Sequence, residues 1–154
     1  MVQDESDNSK SYAIEAQKQS KSVSVREFME ALSIELDFEL VQGHKGLERE
    51  IRSSRIQKLG LMLASFTGTI DPGRVIIIGS SELNYLEILD AEARKAAIQQ
   101  LKKYPICCIV VTKKSEIPEE LIDLSKEESI PILWTEAYSS VAIAKITHKK
   151  PIAI

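Results

Sequence analysis

The sequence predicts an α/β domain, a parallel or mixed sheet with helices on both faces, and three observations carry that prediction. Val75-Ile76-Ile77-Ile78 and the run from Ile106 to Val111 are continuous apolar stretches rich in β-branched residues, the signature of strands covered on both sides. From Val75 onward such stretches alternate with helix-length segments, giving three βα units in series and hence parallel strands with right-handed crossovers. A chain of 154 residues with 44% apolar and 28% charged content is long enough for one domain with a core of its own.

Residues 1–22 are rich in Ser, Gln, Lys and acids and predict a disordered tail, with at most a frayed helix near Tyr12 to Gln19. Order is expected to begin abruptly at Ser24. Ser24-Val25-Arg26-Glu27 is a capping box, and Val23 with Phe28 stands at the spacing of a hydrophobic staple. Val25, Phe28, Met29 and Leu32 then fall on one stripe of an amphipathic helix reaching about Ser33. Phe38 to Gln42 and Glu50 to Arg52 read as short strands joined by the glycine-bracketed turn Gly43-His44-Lys45-Gly46, a hairpin-like unit in which His44 is a solvated turn residue. Leu59 to Phe66 suggest a short helix ending near Gly68, and Asp71-Pro72-Gly73 is a turn.

Val75 to Ile78 is the first buried strand. A helical region follows from about Glu82 to Lys103, capped by Ser80 or Ser81 and breaking near Asp90. Ile106 to Val111 is the second strand. Pro118 at a first helical position opens a helix through Glu127. Pro131 to Trp134 forms the third strand and Tyr138 to Ile146 the last helix. The domain is thus bounded at residues 23–147, with 148–154 a tail or the start of a linker.

A net charge of -3 and scattered lysines give no basic footprint for nucleic acid. No apolar run reaches membrane-span length, and the first eleven residues are polar and acidic where a secretory signal is basic and then apolar, so a cytoplasmic protein is expected. The only two cysteines, Cys107 and Cys108, are adjacent. On a strand they would face opposite ways, neither bridging nor sharing a metal, and they read as small buried apolar groups.

Ligands of parallel sheets bind at the carboxyl ends of the strands, which directs the search for a site. Gly68 to Val75 has the glycine spacing of a phosphate loop but carries Arg74 and Val75 where Lys and Ser or Thr are needed, and it precedes a strand rather than following one. The local candidate is Gly79, Ser80, Ser81 and Glu82: a glycine ending a buried strand and two hydroxyls opening a helix offer amides and side chains to an anion. The same residues also suit a tight turn, a helix cap and a first-turn acid. Glu119 and Glu120 likewise read as first-turn charges rather than an acid/base couple.

Taken in order, Val25 to Leu32, Gly46-Leu47-Glu48-Arg49-Glu50-Ile51, Gly60 to Phe66, Arg74 to Gly79, Glu82-Leu83, Tyr104 to Thr112 and Ile130 to Thr135 resemble the amino-terminal domain of bacterial HPr kinase/phosphorylase. Leu59 stands where that family commonly has proline and Ser65 where it has glycine. The resemblance implies a fold similar to the first domain of Mur-type cell-wall ligases. It also implies a parent enzyme that phosphorylates a serine of the phosphocarrier HPr with ATP or pyrophosphate and magnesium, and reverses the reaction by phosphorolysis. In that family the phosphate loop, metal ligands and catalytic acid/base lie in the carboxy-terminal domain, so no catalytic or metal residue is expected in this chain. The expected role is a non-catalytic regulatory or assembly domain, homo-oligomeric, with the kinase catalytic domain and HPr as partners. The alternatives are a free-standing small-molecule or nucleotide sensor, with its site near Gly79, Thr112 and Thr135, or a docking module presenting an apolar helix face.

Overall fold

The computed structural model describes residues 22–53, 56–59 and 73–148. The predicted tail before Ser22, the helix expected after Leu59, the Asp71-Pro72 part of the following turn and the last six residues lie outside the described residues.

The capping box forms as its sequence requires. Ser24 Oγ accepts the Glu27 amide at 3.0 Å and Glu27 Oε1 accepts the Ser24 amide at 2.9 Å. Behind it α1 (Val25–Ala31) ends two residues earlier than predicted, where Leu32 leaves helical geometry. Its first amides are taken up from outside: Val25 N–H donates to Arg49 O and Arg26 N–H to Leu47 O, both at 3.0 Å.

Five strands make one mixed sheet in the order β2-β7-β6-β5-β4: β2 (Glu39–Gln42), β4 (Ile56–Lys58), β5 (Val75–Ile78), β6 (Cys108–Val111) and β7 (Ile132–Trp134). β4 through β7 run parallel, and β2 closes one edge antiparallel to β7, with a bulge between Leu40 and Gln42. The predicted hairpin is not formed. β2 pairs with β7, whereas β3 (Glu50–Ile51) pairs antiparallel with β1 (Val23–Ser24) in a separate ribbon. The reason lies in the intervening turn. Gly43, at φ +85°, and Gly46 sit directly against the backbone of Ser129, Ile130 and Pro131, so the chain is carried across the end of the sheet instead of folding back on β2. His44 is exposed in that turn, as expected. β1 and β4 escaped the sequence reading because each is two or three residues long and is made a strand by its partner rather than by its own pattern.

The helical stretch after β5 breaks where predicted. α2 (Ser80–Ile88) ends before Asp90, whose carboxylate caps α3 (Ala91–Gln99) by accepting the Ala93 amide at 2.8 Å. A 3-10 turn, Gln100–Lys103, leads to β6. α4 (Glu119–Glu128) begins one residue after Pro118, which stands at the cap, and α5 (Ser139–His148) follows β7. No helix among the described residues is long and apolar enough to cross a membrane.

The alternation of side chains along the strands divides the core in two. Ile76, Ile78, Ile109, Val111 and Ile132 face α2, α3 and α4, packing on Leu86, Ile98, Leu121 and Leu124. Val75, Ile77, Cys108, Val110 and Leu133 face the other way, against Val25 and Phe28 of α1, Leu32 just after it, and Ala142 and Ile146 of α5. Burying each such Leu or Ile is worth about 1.5–3 kcal/mol, so both faces are strongly specified and register is fixed. One expectation fails at the mouth of β6. Cys107 and Cys108 do not face opposite ways; both belong to the α1/α5 side of the core. The strand begins only at Cys108, so the two-residue alternation does not extend to Cys107.

Candidate functional site

The carboxyl ends of β5, β6 and β7 are where an α/β sheet presents a site. At the end of β5 the four sequence candidates come together with two further residues. Gly79, Ser80, Ser81, Glu82, Asn84 and Ser139 line a recess of about 410 Å³. Ser80 and Ser81 are exposed, Glu82 is half-buried and Gly79 is buried. Gly79 leaves the strand in extended geometry and opens α2, and Glu82 Oε1 accepts the Gly79 amide at 2.9 Å. The carboxylate therefore occupies one of the amides that an anion would have used.

Ser139 was not singled out from the sequence. It opens α5 as Ser80 opens α2, and that parallel position is the signal that could have found it. Its Oγ lies 2.8 Å from Thr112 Oγ1, which itself donates to Ile78 O at 3.3 Å. A Cβ on Gly79 would stand 2.5 Å from Ser139 Oγ, so glycine here leaves room for the serine. Gly79→Ala is accordingly expected to cost about 1 kcal/mol, because the hydroxyl can swing aside only by giving up Thr112. Urea unfolding checks this: in a Ser139→Ala background the same change should cost much less.

Thr112 and Thr135, expected near a ligand, are fully buried. Thr135 Oγ1 donates to Leu36 O at 2.7 Å and accepts the Ala137 amide at 3.3 Å. Both hydroxyls are thus spent on tying loops together. Between them, Lys113 and Lys114 take left-handed backbone, φ 59° and 43°, held by amide bonds of 2.9 Å each to Ala137 O and Thr135 O. Lys114 Nζ meets Glu39 at 3.1 Å, and that carboxylate raises its pKa from the ordinary lysine value. Lys113 Nζ lies 5.1 Å from the Tyr138 ring centroid.

The Gly46 to Ile51 motif resolves into architecture. Arg49 sends Nε to Ser129 O at 2.9 Å, Nη2 to Glu128 O at 2.7 Å and Nη1 to Ile106 O at 3.1 Å. Two of these carbonyls end α4 and its cap, where a cation also complements the helix dipole. Ser129 turns the chain with left-handed backbone, φ 54°, which α4 needs in order to stop. Arg94 does the same for α2, reaching Leu86 O at 2.9 Å and Leu89 O at 2.8 Å while pairing with Glu120 at 3.2 Å. Glu120 is thereby committed to a helix-to-helix clamp, and the described residues hold no group of three or more His, Cys, Asp or Glu able to share a metal.

Residues 23–149 match a family model described as HPr Serine kinase N terminus. The chain is 35% identical over 126 residues to the HPr kinase/phosphorylase of Geobacter sulfurreducens, covering 82% of this chain and 40% of that protein. It is 32% identical over 129 residues to that of Chlorobium phaeobacteroides, covering 82% and 38%. It thus spans about two fifths of the length of these curated relatives. In fold it is similar to the solved CBS and DRTGG domains of the regulatory region of Clostridium perfringens pyrophosphatase, complexed with the activator diadenosine tetraphosphate. The TM-score is 0.52 at 18% identity, over 88% of this chain and 49% of that one. With that match over most of its length, this chain belongs to the HPr serine kinase amino-terminal family.

Proposed function

We propose that this chain acts as the non-catalytic regulatory or assembly domain of an HPr kinase/phosphorylase, a cytoplasmic and homo-oligomeric enzyme of carbon catabolite control. The observation that carries the reading is the placement of the match: it falls on the family's amino-terminal part, and the relatives' remaining length is where ATP or pyrophosphate and magnesium would be held. The strand-end chemistry agrees, since the hydroxyls of Thr112 and Thr135 and the carboxylate of Glu82 are committed to the fold. Two measurements test the proposal together. Incubated with HPr, ATP and magnesium, the chain is expected to transfer no phosphate, and labelled HPr would overturn the reading. Titrated with the carboxy-terminal part of the Geobacter relative, it is expected to form a complex on a sizing column with light scattering. Absence of a complex would overturn the assembly role.

A second reading, a nucleotide or small-molecule sensor, rests on the recess of about 410 Å³ beside Gly79 and on the activator-bound regulatory region that shares the fold. A ligand at a hundred times its Kd stabilises a fold by about 2.7 kcal/mol. Thermal unfolding with ATP or diadenosine tetraphosphate therefore distinguishes the two, an unchanged midpoint favouring the assembly domain.

A further inference from the structure

We propose that Cys107 is a modification site for small hydroperoxides, and that Cys108 resolves the product into a vicinal disulfide.

The inference starts from the unexpected placement of the pair. Both side chains lie on the α1/α5 side of the sheet. Cys107 also lines a second recess, of about 390 Å³, at the amino end of β6, together with Glu48, Arg49, Glu50, Arg52, Pro105 and Ile106. Cys107 is 4% exposed and Cys108 is fully buried. That combination admits a molecule the size of hydrogen peroxide to one sulfur, excludes bulky thiols, and leaves Cys108 with only its neighbour to attack. The Cys107 S–H donates to Arg74 O at 3.1 Å, a bond given up when the thiolate forms. Its interaction with Cys108 lowers its pKa, as do backbone hydrogen bonds and the charge of Arg49, against the opposing effect of burial. Cys108 is raised well above the ordinary value, first by its interaction with Cys107 and then by burial. The thiolate is the form that peroxide oxidises, and the lowered pKa of Cys107 favours it.

The chemistry balances without any further reagent. The Cys107 thiolate attacks one peroxide oxygen, the O–O bond breaks, and the departing hydroxide takes a proton to become water. Sulfur is oxidised to the sulfenic acid as the peroxide is reduced. Cys108 sulfur then attacks Cys107 sulfur, the S–O bond breaks, and the hydroxide leaves as water with the Cys108 proton.

The disulfide would form in a sensitive place. Consecutive Cα atoms are about 3.8 Å apart, closer than the roughly 4.4–6.8 Å of relaxed disulfides, so the ring is strained and easily reduced. Ile106 O receives Arg49, and Cys108 pairs with Val75. Closing the ring between these two anchors loosens the Arg49 clamp, which makes the site reversible and structurally consequential.

The test uses the whole native chain. Treatment with hydrogen peroxide, then N-ethylmaleimide in urea and trypsin, isolates both cysteines in one peptide, Tyr104 to Lys113. That peptide is expected two hydrogens lighter and free of maleimide, with dithiothreitol restoring two reactive thiols. In Cys108→Ala, dimedone present while the peroxide-treated chain is unfolded should trap Cys107 as its sulfenic acid. The proposal is overturned if both thiols still take up maleimide after peroxide, if the bridge links separate chains, or if oxidation proceeds only in urea. Because the principal readout is on the unmutated chain, a variant that fails to fold leaves the test intact.

Discussion

Replacing Gly46 by alanine is expected to destabilise the domain by about 3 kcal/mol, a loss visible as a large fall in the urea midpoint with little change in slope. The cause is a contact with backbone that cannot move independently. A Cβ at this position would overlap the carbonyl oxygen of Ser129 and stand 2.9 Å from Pro131 Cδ. Ser129 is the left-handed residue that ends α4, and Pro131 leads into β7. Relieving the overlap means displacing the turn between a helix and a central strand. Lys45→Ala, one residue away and exposed, is the control and should stay within about 0.5 kcal/mol of the native chain.

Arg49→Ala is expected to cost a similar amount, about 3 kcal/mol, by a different route. Three carbonyls, those of Ile106, Glu128 and Ser129, lose a charged donor at once. Arg49 is half-buried, so water can reach part of what is vacated, and the loss is smaller than three separate charged hydrogen bonds would suggest. Arg49→Lys should recover only a fraction, because an ammonium cannot reproduce the planar fork that reaches three acceptors. Arg52→Ala is the matching control. Its guanidinium meets Glu50 at 2.9 Å with both side chains more than half exposed, an arrangement worth little. If Arg49→Ala unfolds at the same urea concentration as Arg52→Ala, the clamp has no stabilising role.

The parts of the fold that were legible in the sequence are those in which local pattern and tertiary environment agree. Val75 to Ile78 is buried on both faces and reads as such, Asp90 caps the helix it was expected to interrupt, and Ser24 with Glu27 forms its box. The hairpin expected between β2 and β3 failed because adjacency in sequence was taken for adjacency in space. Nothing local in Phe38 to Gln42 says that its partner is Trp134 rather than Glu50. Cys107 was misplaced because two residues of strand, Ile106 and Cys107, were assumed where the strand had yet to begin. Among the site candidates, the clustering of Gly79 with its serines was visible, whereas Ser139 arrives from 60 residues away and only the three-dimensional order of β5, β6 and β7 brings it there.

The reach of Arg49 also bears on how the domain assembles. Its three acceptors lie 57, 79 and 80 residues further along the chain. Loop-closure entropy delays contacts of such separation until the local βα units from β5 to β7 have formed. Bonds completed after the folding barrier leave the rate of assembly nearly untouched and act instead on the rate of escape from the native state. Arg49→Ala is therefore expected to shorten the lifetime of the folded domain more than it slows the making of it, read as faster unfolding at a nearly unchanged folding rate.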